Sequence, residues 1–309
     1  MWFEGFVRYL DLPQTLNSLI TSIPQGESSP YWTMISSNIG TKLTDDGYVW
    51  YSKGSSGKDN IYIGMKNAFY ASDQSKGFQV FVYENYIPNV TPGQNSNQPV
   101  GLNMINANMN TMNISLGGSD SSKYGVFYYL SVTRDRIILT IRFPVSIHDR
   151  FVDTTNNGYA LINTTYMGLI KRYSDEANST GVTLATTHDV NANIYLIRLL
   201  RGADGTPYQQ YSPSYRYYTY ATDYKSWGGD LLVVPNALYL ENEGYRGELD
   251  GMLFACSFIS YAYSMGTPIF SNVQVNGKDY LLITRSNSEQ GQQDNFSAGG
   301  QYVMLIEKK

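Results

Sequence analysis

The chain has 309 residues, a formal net charge of −4 from 22 Lys and Arg against 26 Asp and Glu, and only 16% charged residues. That length admits one large domain or two modest ones and a core that needs no covalent staples. A slightly acidic balance without a basic run argues against tight nucleic-acid binding, which draws on clustered Lys and Arg. The single cysteine, Cys256, excludes an intrachain disulfide; it lies in the apolar run Met252-Leu253-Phe254-Ala255-Cys256, where an inert buried thiol is expected. The N-terminus lacks the basic and apolar regions of a signal peptide, and no stretch reaches the roughly 18 apolar residues of a membrane span. The expectation is a chain made in a reducing cytoplasm, without membrane insertion. Asn-X-Ser/Thr matches at Asn89, Asn113, Asn163, Asn178 and Asn295 are what a chain rich in these residues produces by chance.

Tyr and Gly occur 28 times each. Tyrosine, threonine and β-branched residues favour strands, while Gly and Asn favour turns, so the composition predicts a mainly β protein. One helix is predicted over 11–23. Asp11 is a good N-cap residue, Pro13 fits the first turn, Leu12, Leu16, Leu19, Ile20 and Ile23 recur at helical spacing, and Pro24 ends the run. Ahead of it, Trp2, Phe3, Phe6, Val7, Tyr9 and Leu10 place six large apolar groups in a terminal segment. Leaving such groups in water forgoes about 1.5–3 kcal/mol each. Either a partner covers them, or the segment packs as an edge strand on its own body.

Beyond residue 45 the period becomes two. Tyr48-Val49-Trp50-Tyr51 follows the Asp46-Gly47 turn; Ile61, Ile63 and Met65 form one apolar row, and Phe78, Val80 and Val82 another. Residues 88–122 are rich in Pro, Gly, Asn, Gln, Ser and Met, with a short apolar piece around 102–105, and read as a long contact loop. A hairpin is predicted from 125–132 and 136–143 around Thr133-Arg134-Asp135. In its second strand Ile137, Leu139, Ile141 and Phe143 face one way, and Arg136, Ile138, Thr140 and Arg142 the other. Further strands are predicted at 159–170, 194–200, 231–234, 249–258 and 302–306. Asn276-Gly277 joins two more in a two-residue turn. The predicted fold is one or two β-sandwich, jelly-roll-like units with a short N-terminal helix. Residues 1–45 form a docking segment and 46–309 the body, divided near 200 if there are two sandwiches.

Catalytic and metal signatures are weak. His148 and His188 each precede an aspartate in a polar loop and are too few for a zinc site. Gly54-Ser55-Ser56-Gly57-Lys58 superficially resembles a phosphate loop, but Ser52 and Asp59 stand where a glycine and a Ser or Thr are needed; it reads as a hairpin loop. Glu248 and Asp250, two apart on a strand, are expected on one face, where a carboxylate pair would suit glycoside hydrolysis or calcium. No cofactor is implied. The most distinctive stretch is 208–224, with seven tyrosines; Tyr211, Tyr215, Tyr217, Tyr220 and the following Trp227 form a candidate protein-contact or sugar-stacking surface.

Trp50-Tyr51-Ser52, followed by the run from Gly54 through Asn60 to Ile61-Tyr62-Ile63-Gly64, resembles a segment of tailed-bacteriophage virion proteins. Gly247-Glu248-Leu249-Asp250-Gly251 before an apolar strand is similar to their late segment, as is the order of the 125–143 hairpin and the 159–170 strand. The likeness spans about residues 45–309. It implies a virion structural component of tail, baseplate or neck, with no enzymatic residues, whose partners are other virion proteins and copies of itself in a symmetric assembly. The alternatives are a tail protein that binds a host-surface glycan and, less favoured, a polysaccharide hydrolase using Glu248 or Asp250.

Overall fold

The computed structural model describes residues 1–8, 11–37, 47–69, 76–83, 86, 104–109, 125–142, 162–172, 182–186, 196–199, 232–240, 244–256, 270–284 and 302–309. Among them the chain is mainly β, with one α-helix and three sheets whose strand pairs all run antiparallel. The central sheet holds β1 (Trp2–Arg8), β7 (Gly125–Val132), β8 (Arg136–Arg142), β9 (Ile162–Gly168), β11 (Thr183–Thr186) and β12 (Leu196–Leu199), in that spatial order. The front sheet is a meander of β2 (Thr33–Ser37), β3 (Gly47–Ser52), β4 (Ile61–Phe69), β5 (Lys76–Tyr83) and β6 (Met104–Met109). The back sheet runs β10 (Lys171–Arg172), β14 (Gly244–Cys256), β17 (Tyr302–Glu307), β16 (Lys278–Thr284) and β15 (Phe270–Val275), with β13 (Leu232–Leu240) also paired to β14.

The alternation of the β7–β8 hairpin explains why there are three layers. Val126, Tyr128, Leu130 and Val132, with Ile137, Leu139 and Ile141, pack against Trp50, Ile61, Ile63, Met65, Val80 and Val82 of the front sheet. Ile138 points the other way and joins Tyr166, Leu249, Met252, Leu281, Ile283, Met304 and Ile306 on the back-sheet side. Successive strand residues project to opposite faces, so an apolar residue at both parities requires cover on both. Every residue of β8 up to Ile141 is buried. Thr140 and Thr164, directly opposite on β8 and β9, join hydroxyls at 2.8 Å.

The helix α1 (Leu12–Ile20) closes one side of the front core through Leu12, Leu16 and Ile20. It is shorter than the 11–23 the apolar spacing predicts. The residue before a proline is disfavoured in helical conformation, and Pro24 follows Ile23. The hydroxyls of Thr21 and Ser22 donate to the carbonyls of Asn17 and Leu19, each at 2.7 Å, satisfying the end of the helix. Asp11 makes no side-chain cap; its carboxylate instead accepts from Arg8 Nε at 2.5 Å. Two indoles anchor the helix and the front sheet. Trp50 Nε1 donates to Asn17 Oδ1 at 2.9 Å, and Trp32 Nε1 donates to the Thr133 carbonyl at 2.7 Å. Both tryptophans are buried, and each polar N–H has its partner.

The first strand pairs with β7 from Trp2 opposite Ser131 to Arg8 opposite Gly125. The 1–45 segment therefore contributes to the body itself, β1 to the central sheet and β2 to the front sheet. The back sheet likewise takes β10 from the middle of the chain alongside the late strands. The Asn276-Gly277 turn behaves as its sequence requires: both residues have positive φ, 51° and 75°, between β15 and β16.

Ile138 is the one described apolar side chain of β8 that reaches the back core. Ile138→Ala is expected to cost about 2–5 kcal/mol in urea unfolding without changing the strand content seen by circular dichroism.

Candidate functional site

Two regions of the described structure concentrate chemistry-bearing groups. The first is a buried ionic node between the central and back sheets. Arg136 opens β8 with no solvent exposure, and its guanidinium donates from Nε to Asp250 Oδ2 at 3.0 Å, from Nη1 to Ser131 Oγ at 3.1 Å and from Nη2 to Glu307 Oε2 at 3.2 Å. Ser131 in turn donates to the Glu307 backbone carbonyl at 2.8 Å. Glu307, itself buried, is approached from outside by Lys278 at 2.9 Å and Lys309 at 3.9 Å. The hydrogen bond to Glu307 is the largest cause holding the Lys278 ammonium above the ordinary lysine range. Burial pushes the Tyr166 phenol, in the same interface, well above its ordinary value. At the edge of the node, burial first, then the charges of Arg136 and Lys309, lowers the Met1 α-ammonium to about 6, against the opposing pull of Glu307.

Two glycines make room for this arginine. At Gly251, φ is +73° and an added Cβ would lie 1.9 Å from Arg136 Nη2. At Gly168, φ is +140° and a Cβ would lie 2.3 Å from the Asp135 carbonyl oxygen. Gly251 belongs to an irregular passage of β14: pairing with β13 passes from Pro235 opposite Leu253 to Ala237 opposite Glu248, so that 249–252 stand against the single position 236. That passage sends Leu249 and Met252 into the back core while Asp250 reaches Arg136.

The carboxylates at 248 and 250 thus have different partners. Asp250 is held by buried Arg136, whereas Glu248 lies 3.4 Å from the exposed Lys171 ammonium. The arrangement accounts for both as strand-joining ion pairs. Among the described residues there is no group of three His, Cys, Asp or Glu placed to hold a metal ion, and no helix long and apolar enough to cross a membrane.

The 54–58 segment is a hairpin loop between β3 and β4, as its sequence predicts. Gly54 and Gly57 both have positive φ. The loop is docked onto the β7–β8 turn: Ser55 donates its backbone N–H to Asp135 Oδ1 at 2.6 Å and its hydroxyl to Asp135 Oδ2. Ser52 donates to the Arg134 carbonyl at 2.6 Å, and Arg134 pairs with Glu27 at 2.8 Å while lying over the Tyr31 ring. An aspartate occupies the place where a phosphate-binding loop would offer its amides.

The second region is the N-terminal edge. On β1, Phe3 and Val7 pack into the front core, whereas Trp2 turns to the back core beside Tyr129, with ring centroids 6.4 Å apart. Lys308 lies over the Trp2 ring and 3.6 Å from Glu4. Phe6 lies on Phe127, with centroids 4.7 Å apart, and is 57% exposed. Its ring occupies the space above Gly125, where a Cβ would come within 2.1 Å. Of the candidate interface residues, Trp2, Phe3 and Phe6 therefore form an edge strand packed on the body. Tyr9 and Leu10 lie outside the described residues. So do Tyr211, Tyr215, Tyr217, Tyr220 and Trp227, both histidines, and the 88–122 loop except for Met104–Met109, which is β6. The backbone of Cys256 is paired with Tyr302 at the end of β14.

The ionic node was not foreseen from the sequence. Its only local signal is an arginine opening the run Ile137-Ile138-Leu139, with Asp250 and Glu307 at 114 and 171 residues' separation. No family model matches the chain, and no curated protein matches its sequence.

Removing one member of a buried ion pair leaves a charge without compensation. Arg136→Ala is therefore expected to cost about 3–5 kcal/mol in urea unfolding, while Lys171→Ala, at an exposed pair, costs less than about 1 kcal/mol. Equal effects would refute the assignment of Arg136 as the inter-sheet tie. Gly251→Ala is expected to be destabilising as well, because its Cβ displaces the guanidinium; the check is a lowered thermal midpoint.

Proposed function

We propose that this chain is a non-catalytic structural component of a tailed-bacteriophage virion, working through protein–protein contacts with tail, baseplate or neck proteins. The virion part of the reading rests on the resemblance carried by residues 50–64 and 247–251. The observation that carries the assembly part is β1, an outer strand of the central sheet that keeps a large aromatic group, Phe6, in solvent. A sheet edge that no strand among the described residues pairs, beside exposed aromatic area, favours contact with another chain.

The charged groups support the same reading. Asp250, Arg136 and Glu307 hold two sheets together, and Asp135 holds the 54–58 loop. Asp250, one of the two hydrolase candidates, is taken up by the inter-sheet tie to Arg136, which favours the structural reading over the hydrolase alternative. In a symmetric particle each modest contact is repeated around the axis, so avidity replaces individual affinity.

The test is mass spectrometry of gradient-purified particles from the source lysate. The chain is expected in multiple copies per particle, at a fixed ratio to a tail protein. Its absence from particles that retain their tails would refute the virion role. Depolymerisation of a polysaccharide by the pure chain, abolished in Asp250→Asn or Glu248→Gln variants that remain folded, would replace that role with the enzymatic one.

A further inference from the structure

We infer that β1 is a homodimerisation edge at which two copies join antiparallel about a two-fold axis through Phe6, making one continuous sheet from both central sheets. The proposal goes beyond the virion role and does not depend on it, because the dimer is a property of the purified chain.

The backbone sets the register. Met1 N donates to the Val132 carbonyl at 2.7 Å, and Val132 N donates to the Met1 carbonyl at 2.8 Å, so these two residues form a doubly hydrogen-bonded antiparallel pair. Such pairs alternate with pairs that make no mutual bond. The amides and carbonyls of Phe3, Gly5 and Val7 therefore turn toward β7, opposite Leu130, Tyr128 and Val126. Those of Trp2, Glu4, Phe6 and Arg8 turn to the other side, where no strand among the described residues pairs with β1. A second β1 laid antiparallel against this edge, with Phe6 opposite its own copy, places Glu4 opposite Arg8 and Arg8 opposite Glu4. All three are bonded positions, so the backbones exchange six hydrogen bonds.

The side chains favour the same register. Glu4 and Arg8 stand two residues to either side of Phe6, so the two-fold brings each acid beside a base, twice per interface. Both are largely exposed, with side-chain exposures of 54% and 69%; Glu4 meets Lys308 and accepts from the Trp2 indole at 3.0 Å, and Arg8 meets Asp11. Opposite charges directly across antiparallel strands stabilise the pairing, and like charges weaken it. Glu4, Phe6 and Arg8 share one face, which a two-fold perpendicular to the sheet preserves, so the two Phe6 rings meet beside the two Phe127 rings. A self-complementary patch of this kind is what an isologous contact needs. Two of the other edges fit less well. Strand β2 is interrupted by a bulge between Met34 and Ser36, and β15 carries no charged residue to pair across a two-fold. Strand β1 is regular over all seven residues.

The experiment is sedimentation velocity of the purified full chain across a concentration series, with strand content checked by circular dichroism. The wild-type chain is expected to dimerise. Glu4→Arg alone and Arg8→Glu alone each set like charges across the axis at two places, and each is expected to weaken the dimer about tenfold or more. The double variant Glu4→Arg with Arg8→Glu restores attraction and is expected to recover dimerisation, an outcome that loss of folding does not produce. Phe6→Pro removes an outward amide without touching the β7 ladder and is expected to give a folded monomer. A monomeric wild-type chain at every concentration overturns the proposal. So does a dimer indifferent to both single charge reversals.

Discussion

The guanidinium of Arg136 is buried between two sheets, and the rest of the architecture is arranged so that it is not alone there. Removing a charge from water costs several kcal/mol even after relaxation. Here Asp250, Glu307 and Ser131 together accept three of its N–H groups, and the Ser131 hydroxyl is itself satisfied by the Glu307 carbonyl. Because the three acceptors come from β7, β14 and β17, the pairing specifies which part of the back sheet meets which part of the central one. Apolar packing by Ile138 and Tyr166 gives that interface its area but is non-directional. The ionic contacts fix its alignment.

The price of that arrangement is a backbone shaped around one side chain. Gly251 and Gly168 adopt positive φ at positions where a Cβ would strike Arg136 or the Asp135 carbonyl. The irregular passage of β14 at 249–252 delivers Asp250 to the arginine while returning Leu249 and Met252 to the core. Three residues away from Arg136 in sequence, Thr133 receives the Trp32 indole, and Arg134 and Asp135 receive Ser52 and Ser55. The β7–β8 hairpin and its turn thus hold the front sheet on one side and the back sheet on the other. A body tied this way presents its assembly chemistry at its margins. Strand β1, at one end of the central sheet, packs Phe3 and Val7 into the front core while Glu4, Phe6 and Arg8 lie at the surface.

Much of this fold was legible in the sequence. Alternation along 125–132 and 136–143 placed the central hairpin and assigned Ile137, Leu139 and Ile141 to one face and Arg136, Ile138 and Thr140 to the other. Asn276-Gly277 specified its turn because few other residues tolerate two successive positive φ values. The leucines of α1 specified a helix, although Asp11 took Arg8 as its partner in place of the helix amides, a choice between two nearby donors that spacing does not decide. The aromatic N-terminus announced that something must cover it, and both possible covers were apparent.

Local sequence determined the helix, the Asn276-Gly277 turn and the parity of strands such as β4 and β8, because these depend on neighbours within a few residues; β2, β10 and β11 were not read from it, and β6 lies in the stretch read as a contact loop. The tertiary structure alone decided the order of strands in the sheets, the edge position of β1, and the engagement of Glu248 and Asp250 by different cations. It alone also brought Arg136, Asp250 and Glu307 together. These depend on contacts between residues far apart in sequence, 77 positions for Lys171 with Glu248 and 176 for Ser131 with Glu307, and a side chain's local pattern carries no information about which distant partner will offset its burial.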